Sequence, residues 1–222
     1  MIVVPRVLEK VYNAASQKAG HGAKGLAFQG AVVTAQQYMK EVQEFGDAKA
    51  LTKARRTAYD PLVYRPLRQA LGGRARWIVA GGAPLDPELL SFFRGAGVPV
   101  YEGYGLTETT APCAFTPIGV PFREGSVGIA FPAFTLRIAS DGEVQIKGTC
   151  VFHKYHKNDE ATETSFTKDG WYATGDLGRI DDDGMLYITG RKKDLIITAG
   201  GKNVAPGPVS YTHLTLPTNR EV

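Results

Sequence analysis

From Pro5 to Ala19 apolar residues return every three or four positions, at Val7, Leu8, Val11, Tyr12 and Ala15, which predicts an amphipathic helix. Pro5 suits its first turn, where a missing N–H costs nothing. The same period recurs at Ala31, Ala35, Tyr38, Met39, Val42 and Phe45 and stops at Gly46, predicting a second helix over about 31–45. A shorter helix is expected over about 60–71, bent by Pro66. The pattern then changes. Trp77–Ala80 is the short apolar run of a buried strand, and it ends at Gly81-Gly82. Asp86 and Pro87 form the start of another helix, closed by the glycines at 95 and 97, and Val98–Glu102 is the next strand. Strand, helix and strand in quick succession predict a parallel sheet wrapped by helices, with ligands at the carboxyl ends of its strands.

Beyond Pro121 the period shortens to two. Phe134, Leu136 and Ile138 alternate with Thr135, Arg137 and Ala139, and Asp141-Gly142 turns the chain into a partner strand over 143–147. A short helix is expected from Asn158 to Phe166, then strands at Trp171–Ala173 and Met185–Thr189 beside the turns Asp169-Gly170 and Asp183-Gly184. Leu195–Thr198, turned by Gly200-Gly201, begins a further hairpin. The whole predicts an α/β fold: a partial helix-wrapped parallel-sheet subdomain over 1–120, a small β-barrel-like subdomain over 121–190, and the start of a C-terminal domain over 191–206. Residues 207–222 have no helical period and form an atypical tail, either an assembly scar or a native short tail.

Composition narrows the class. At 222 residues, 43% hydrophobic and 22% charged, the chain can bury a core. Its net charge of +4 suits anionic ligands, but no basic run or stripe argues for nucleic acid. Cys113 and Cys150 have no metal or pairing spacing and fit a reducing compartment. His21, His153, His156 and His213 show no metal spacing either. The opening MIVVPRVLEKV is not a signal peptide, and no apolar stretch reaches the length of a membrane span.

Four islands carry candidate chemistry: GGAPL from Gly81, YGLTETT from Tyr104, TGDLG from Thr174, and GRKKDLIITAGGKNVAP from Gly190. In the second, Tyr104 offers an aromatic face for a nucleobase and Thr107 a hydroxyl for phosphate. Glu108 offers hard oxygens for Mg²⁺, which shares its shell with phosphates. Gly81, Gly82 and Ala83 leave backbone open to a flat ligand. Asp176 can accept two ribose hydroxyls, and Arg191 can present its planar fork to ribose or phosphate. Each island alone is equally a plain feature: a solvent loop with a capping Thr, a tight strand-to-helix turn, an Asp-containing turn, an exposed basic turn.

Taken in order, the four islands resemble the adenylate-forming superfamily over about residues 75–206. The segments PRVLEKVYNAA, GGAPLDPELLSFFRGAG and EGYGLTETTAP are similar to bacterial long-chain fatty acyl-CoA synthetases in particular. The resemblance implies the reaction acid + ATP + CoA → acyl-CoA + AMP + diphosphate through an acyl-adenylate, with Mg²⁺. By position it implies Gly82 and Ala83 beside adenine and acyl group, and Gly103, Tyr104 and Gly105 at the base. It implies Thr107 at the phosphates, Glu108 on magnesium, and Asp176 and Arg191 at the ribose. Lys193 is implied as a hinge, and Gly200 and Gly201 as the wall of the pantetheine tunnel. All four islands are expected to converge on one adenosine phosphate.

The implied partners are fatty acid, ATP and CoA, with no nucleic acid and no specific protein partner. The implied setting is the cytoplasm, with room for peripheral membrane contact because the acid partitions into bilayers. The chain departs from the family pattern in having no glycine-rich phosphate loop before Gly81 and no late catalytic lysine, so it is expected to be a central piece without ligase turnover of its own. Two alternatives stay open: an aryl, short-chain or amino acid as substrate, and a non-catalytic AMP-binding protein.

Overall fold

The computed structural model describes residues 1–117 and 123–194, with the backbone alone of 196–197 and 203–204. Its contacts divide the chain into two units, Met1–Phe131 and Pro132–Val222. The sequence pattern placed the division near residue 120. The strand Ile129–Ala130 stays with the first unit because it pairs with Ala114 and Phe115.

In the first unit, β1 (Ile2–Val3), β2 (Ile78–Ala80) and β3 (Val100–Leu106) run parallel, and β4 (Ala111–Phe115) and β5 (Ile129–Ala130) add to β3 antiparallel. The expected parallel sheet is thus mixed. Helix α1 (Pro5–Ala19) is as predicted, with Pro5 in its first turn and Leu8 fully buried. Helix α2 (Ala23–Phe45) starts eight residues earlier than its apolar period suggested. It ends where Gly46 takes the left-handed conformation and returns its N–H to Val42.

A helix absent from the sequence reading, α3 (Ala50–Tyr59), is tied to α2 by the buried Glu41. That carboxylate accepts from the Lys49 amide and the Thr52 hydroxyl. The expected bend at Pro66 takes the form of a π-helical turn, Asp60–Tyr64, leading into α4 (Arg65–Ala70). Pro61 and Pro66 each lack the N–H of a regular α-turn, and the wider turn absorbs the mismatch. It also swings Tyr64 inward, where its hydroxyl donates to the Ala31 carbonyl at 2.6 Å. Helix α5 (Pro87–Gly95) begins at Asp86, whose side chain accepts from the Leu89 amide. It packs so closely on α2 that a Cβ at Gly95 would stand 2.2 Å from the Ala35 oxygen. The core of this unit gathers Leu8, Phe28, Tyr64, Ile78, Phe92 and Phe93 between helices and sheet.

The second unit is an antiparallel meander, β6 (Phe134–Ile138), β7 (Glu143–Gly148), β8 (Tyr172–Ile180) and β9 (Leu186–Arg191). It curls as half a barrel, and β6 and β9 do not close on each other among the described residues. The predicted Asp141-Gly142 turn joins β6 to β7. Helix α6 (Asp159–Ser165) is capped by Asn158, as expected. Val144, Ile146, Tyr172, Met185 and Leu186 are buried, and Phe152 packs on Tyr155, Phe166 and Tyr172. A short hairpin of β10 (Ile196–Ile197) and β11 (Asn203–Val204) follows, as the sequence predicted. No helix of the described residues is long and apolar enough to cross a membrane.

Candidate functional site

In the first unit the glycine segments meet at the ends of β2 and β3. Gly81 leaves β2, and a Cβ on it would lie 3.0 Å from the Gly103 oxygen. Its smallness therefore serves the packing of β2 against β3. Gly82 is different: its φ is +83°, and nothing stands within 4 Å of where a Cβ would be. Gly82 and Ala83 are exposed. Gly103, Tyr104 and Gly105 were expected in a loop at a strand end. They lie inside β3, paired with β4, with an irregularity between Tyr104 and Gly105.

The tip of this β3–β4 hairpin is a single 3-10 turn, Thr107–Thr109. Thr107 is exposed and Glu108 half-buried, while Thr109 is buried and exchanges hydrogen bonds with the backbone of Leu106. Thr110 closes the turn at φ +56°, a left-handed conformation rare for a β-branched residue. At the base of the hairpin, Glu102 faces Thr116 across the ladder, where the Thr116 amide donates to the Glu102 carbonyl at 3.0 Å. Burial pushes the Glu102 carboxyl up to about 7, and the attraction of Arg94 offsets this only in part. The Thr116 hydroxyl is buried without a hydrogen-bond partner among the described residues.

In the second unit, Thr174, Gly175 and Asp176 lie within β8 rather than in a turn between strands. The ladders on both sides shift register here, between Glu143 and Gln145 and between Leu177 and Gly178. Each residue of the triplet has a task. The Thr174 hydroxyl donates to the Val144 carbonyl at 2.8 Å and accepts from the Asp176 amide at 3.0 Å. Gly175 supplies a φ of +73°. Asp176, 3% exposed, faces Arg191 across the β8–β9 ladder, with Oδ1 2.8 Å from Nε. The two side chains named for the ribose are therefore neighbours. Lys193 lies exposed in the 3-10 turn Lys192–Asp194 that follows β9. Gly200 and Gly201 lie outside the described residues.

Three contributors escaped the sequence reading. In the sequence Glu102 reads only as the end of a strand, Glu143 as a hairpin residue and Lys192 as part of an exposed basic turn. Only the first offered a local signal, as the one acid on a strand of apolar, aromatic and glycine residues. As for a metal, no group of three or more His, Cys, Asp or Glu side chains gathers among the described residues. The donors at the hairpin tip, one carboxylate beside two exposed threonines, suit an ion that keeps phosphate and water in its shell and not one held in a protein cage.

Comparisons with known proteins place this geometry. The family model described as AMP-binding enzyme matches residues 1–156. The long-chain-fatty-acid–CoA ligase FadD15 of Mycobacterium tuberculosis is 50% identical over 206 residues, covering 93% of this chain and 34% of that protein. The crystal structure of ATP-bound MatB from Rhodopseudomonas palustris superposes with a TM-score of 0.61 at 32% identity, over 74% of this chain and 34% of that one. The O-succinylbenzoate coenzyme A synthetase of Bacillus subtilis, in complex with ATP and magnesium ion, gives 0.58 at 32% identity over 68% and 35%. The chain spans about a third of the length of the curated relatives it matches.

Proposed function

The chain belongs to the AMP-binding enzyme family, and from that premise we propose that it holds the adenosine part of ATP for a long-chain fatty acid–CoA ligase. The observation that carries this reading is the buried Asp176 carboxylate paired with Arg191. A buried carboxylate held by a guanidinium offers its oxygens to hydroxyl donors, and such charge-assisted bonds contribute about 1.5–3 kcal/mol each. Arg191 remains 62% exposed at its side chain and keeps donors free for a second acceptor.

In the first unit, Tyr104 with Gly103 and Gly105 is assigned to the base, with Gly82 and Ala83 beside it. Thr107 is assigned to the phosphates. Glu108 is assigned to Mg²⁺, which would neutralise phosphate charge when bound. Lys193 is assigned as a hinge, and Gly200 and Gly201 as contacts of CoA. The acid is assigned as a long-chain fatty acid because identity is 50% to a relative named for it and 32% to a solved structure named for another acid, O-succinylbenzoate. Its tendency to enter bilayers supports a cytoplasmic enzyme that touches the membrane surface.

The reaction makes a carboxylate reactive by joining it to AMP and then passes the acyl group to the CoA thiol. The residues here would orient the nucleotide so that the acid meets the α-phosphorus in line. Because the chain covers about a third of its relatives, ligase turnover is assigned to a longer polypeptide and not to these 222 residues alone. Titration calorimetry with AMP tests the binding role directly. Sub-millimolar binding, weakened about 30-fold or more by Asp176→Ala, is the expected result; binding indifferent to that change removes the assignment.

A further inference from the structure

Asp176 does not hold its own position. The residue before it sits in the left-handed region, and the Gly175 amide donates to Glu143 Oε1 at 2.8 Å, 32 residues away in sequence. The other oxygen of Glu143 accepts from Lys192 Nζ at 3.0 Å, a further long-range contact spanning 49 residues. Lys192 follows Arg191 directly, so one carboxylate is bonded next to each member of the Asp176–Arg191 pair. Lys192 Nζ also lies 2.8 Å from Asp141 Oδ2, and Asp141 Oδ1 accepts from the Glu143 amide at 3.2 Å. Asp141, Glu143 and Lys192 thus close a ring across the turn between β6 and β7.

Glu143 is 7% exposed, and a buried carboxylate on a half-buried sheet needs a reason. Packing alone would be served as well by an apolar side chain. We propose that Glu143 is a positioning residue for nucleotide binding, which fixes the Asp176 carboxylate through Gly175 and is itself fixed by Lys192. The inference rests on the assignment of Asp176 to the ribose. Hydrogen bonds from Lys192 to Asp141, then to Glu143, raise the lysine above its ordinary value, and Lys192 holds Asp141 below its own.

The test compares AMP with 2′,3′-dideoxy-AMP, which lacks both hydroxyls, by titration calorimetry on the 222-residue chain. The preference for AMP measures what Asp176 contributes. Lys192→Met and Glu143→Ala are expected to reduce that preference about five- to tenfold while dideoxy-AMP binds within about twofold of wild type. Glu143→Gln keeps an acceptor for Gly175 and should lose less than Glu143→Ala, and Lys192→Arg should restore the preference. Lys192 is partly exposed, so Lys192→Met decides the matter even if Glu143→Ala does not fold.

Equal losses for both nucleotides would reduce Glu143 to a structural role and overturn the proposal. So would an unchanged preference in Lys192→Met and Glu143→Gln while Asp176→Ala abolishes it. A preference that survives Asp176→Ala sinks the ribose assignment instead, and absence of AMP binding by the wild-type chain sinks both.

Discussion

The two units bury the same chemical group and treat it in opposite ways. In the second unit, Glu143 and Asp176 each meet a cation, Lys192 and Arg191, and the Gly175 amide donates a further hydrogen bond to Glu143. In the first, Glu102 lies in β3 just before Gly103 and Tyr104. Burial outweighs the pull of Arg94, and the carboxyl rises from an ordinary 4.5 to about 7. The hydroxyl of Thr116, opposite it, has no hydrogen-bond partner among the described residues. One region surrounds its acids with cations and an amide donor, the other holds a carboxyl that burial pushes up to about 7. The acid proposed to bind ribose has the first arrangement; the strand that leads to the residues proposed for the base carries the second.

The largest expected effect follows from that contrast. Glu102 binds its proton more tightly folded than unfolded. Its contribution is therefore fully present below about pH 4.5 and is lost as pH rises through about 7. The shift corresponds to at most about 3 kcal/mol. Glu102→Gln, which stays neutral throughout, should raise stability towards that figure at pH 8 and change it little at pH 4.5. Urea denaturation of both proteins at the two pH values measures this. A substitution that is neutral at pH 8 would mean that Arg94 compensates the charge after all, and the contrast between the units would close.

A smaller effect is expected at the hairpin tip. Glu108 is half-buried in a one-turn helix, and a carboxylate that still reaches solvent contributes little to folding. Glu108→Gln should therefore leave the denaturation midpoint within experimental error. It should remove the gain in ATP affinity that Mg²⁺ confers, about tenfold from one charge-assisted ligand. Calorimetric titration of ATP with and without Mg²⁺ checks it. A Mg²⁺ effect that persists in the variant would move the metal to other oxygens.

Local signals made much of this molecule readable. Pro5 and the 3.6-residue period gave α1, Asp86-Pro87 gave α5, and Asp141-Gly142 gave the β6–β7 turn, because each depends on residues within one turn of one another. What escaped depends on distance. Residues 23–30 of α2 carry Gly25 and Gly30, both poor helix formers, yet they are helical beside a buried Phe28 that belongs to the core. The strand β8 was cut short at Ala173 since Gly175 breaks the alternation; the bulge that accommodates it is held from β7. Glu143 and Lys192 looked like ordinary hairpin and surface charges because their partners lie 32 and 49 residues away. The site residues Asp176 and Arg191 were named from resemblance, but their pairing across the ladder is visible only in the structure.

The smallest expected effect separates the two regions once more, through their left-handed residues. The second unit places Gly175 there, at φ +73°, and the first places Thr110, at φ +56°. A β-branched side chain in that region is strained by about 1–2 kcal/mol relative to glycine, and such strain persists only where surrounding structure enforces it. Thr110→Gly should accordingly gain about 1 kcal/mol of stability, less what glycine returns to the unfolded chain as entropy. Gly175→Ala should lose about 1 kcal/mol. No atom stands within 4 Å of the added Cβ, so that loss reports backbone strain and not a clash. The nucleotide readings should diverge as well. Thr110→Gly loosens the turn that presents Glu108 and should weaken the Mg²⁺-dependent part of ATP binding. Gly175→Ala disturbs the amide that Glu143 holds and should weaken AMP binding with or without metal. Measured side by side, a Mg²⁺-dependent loss in Gly175→Ala would show that the two left-handed positions do not divide the nucleotide as proposed.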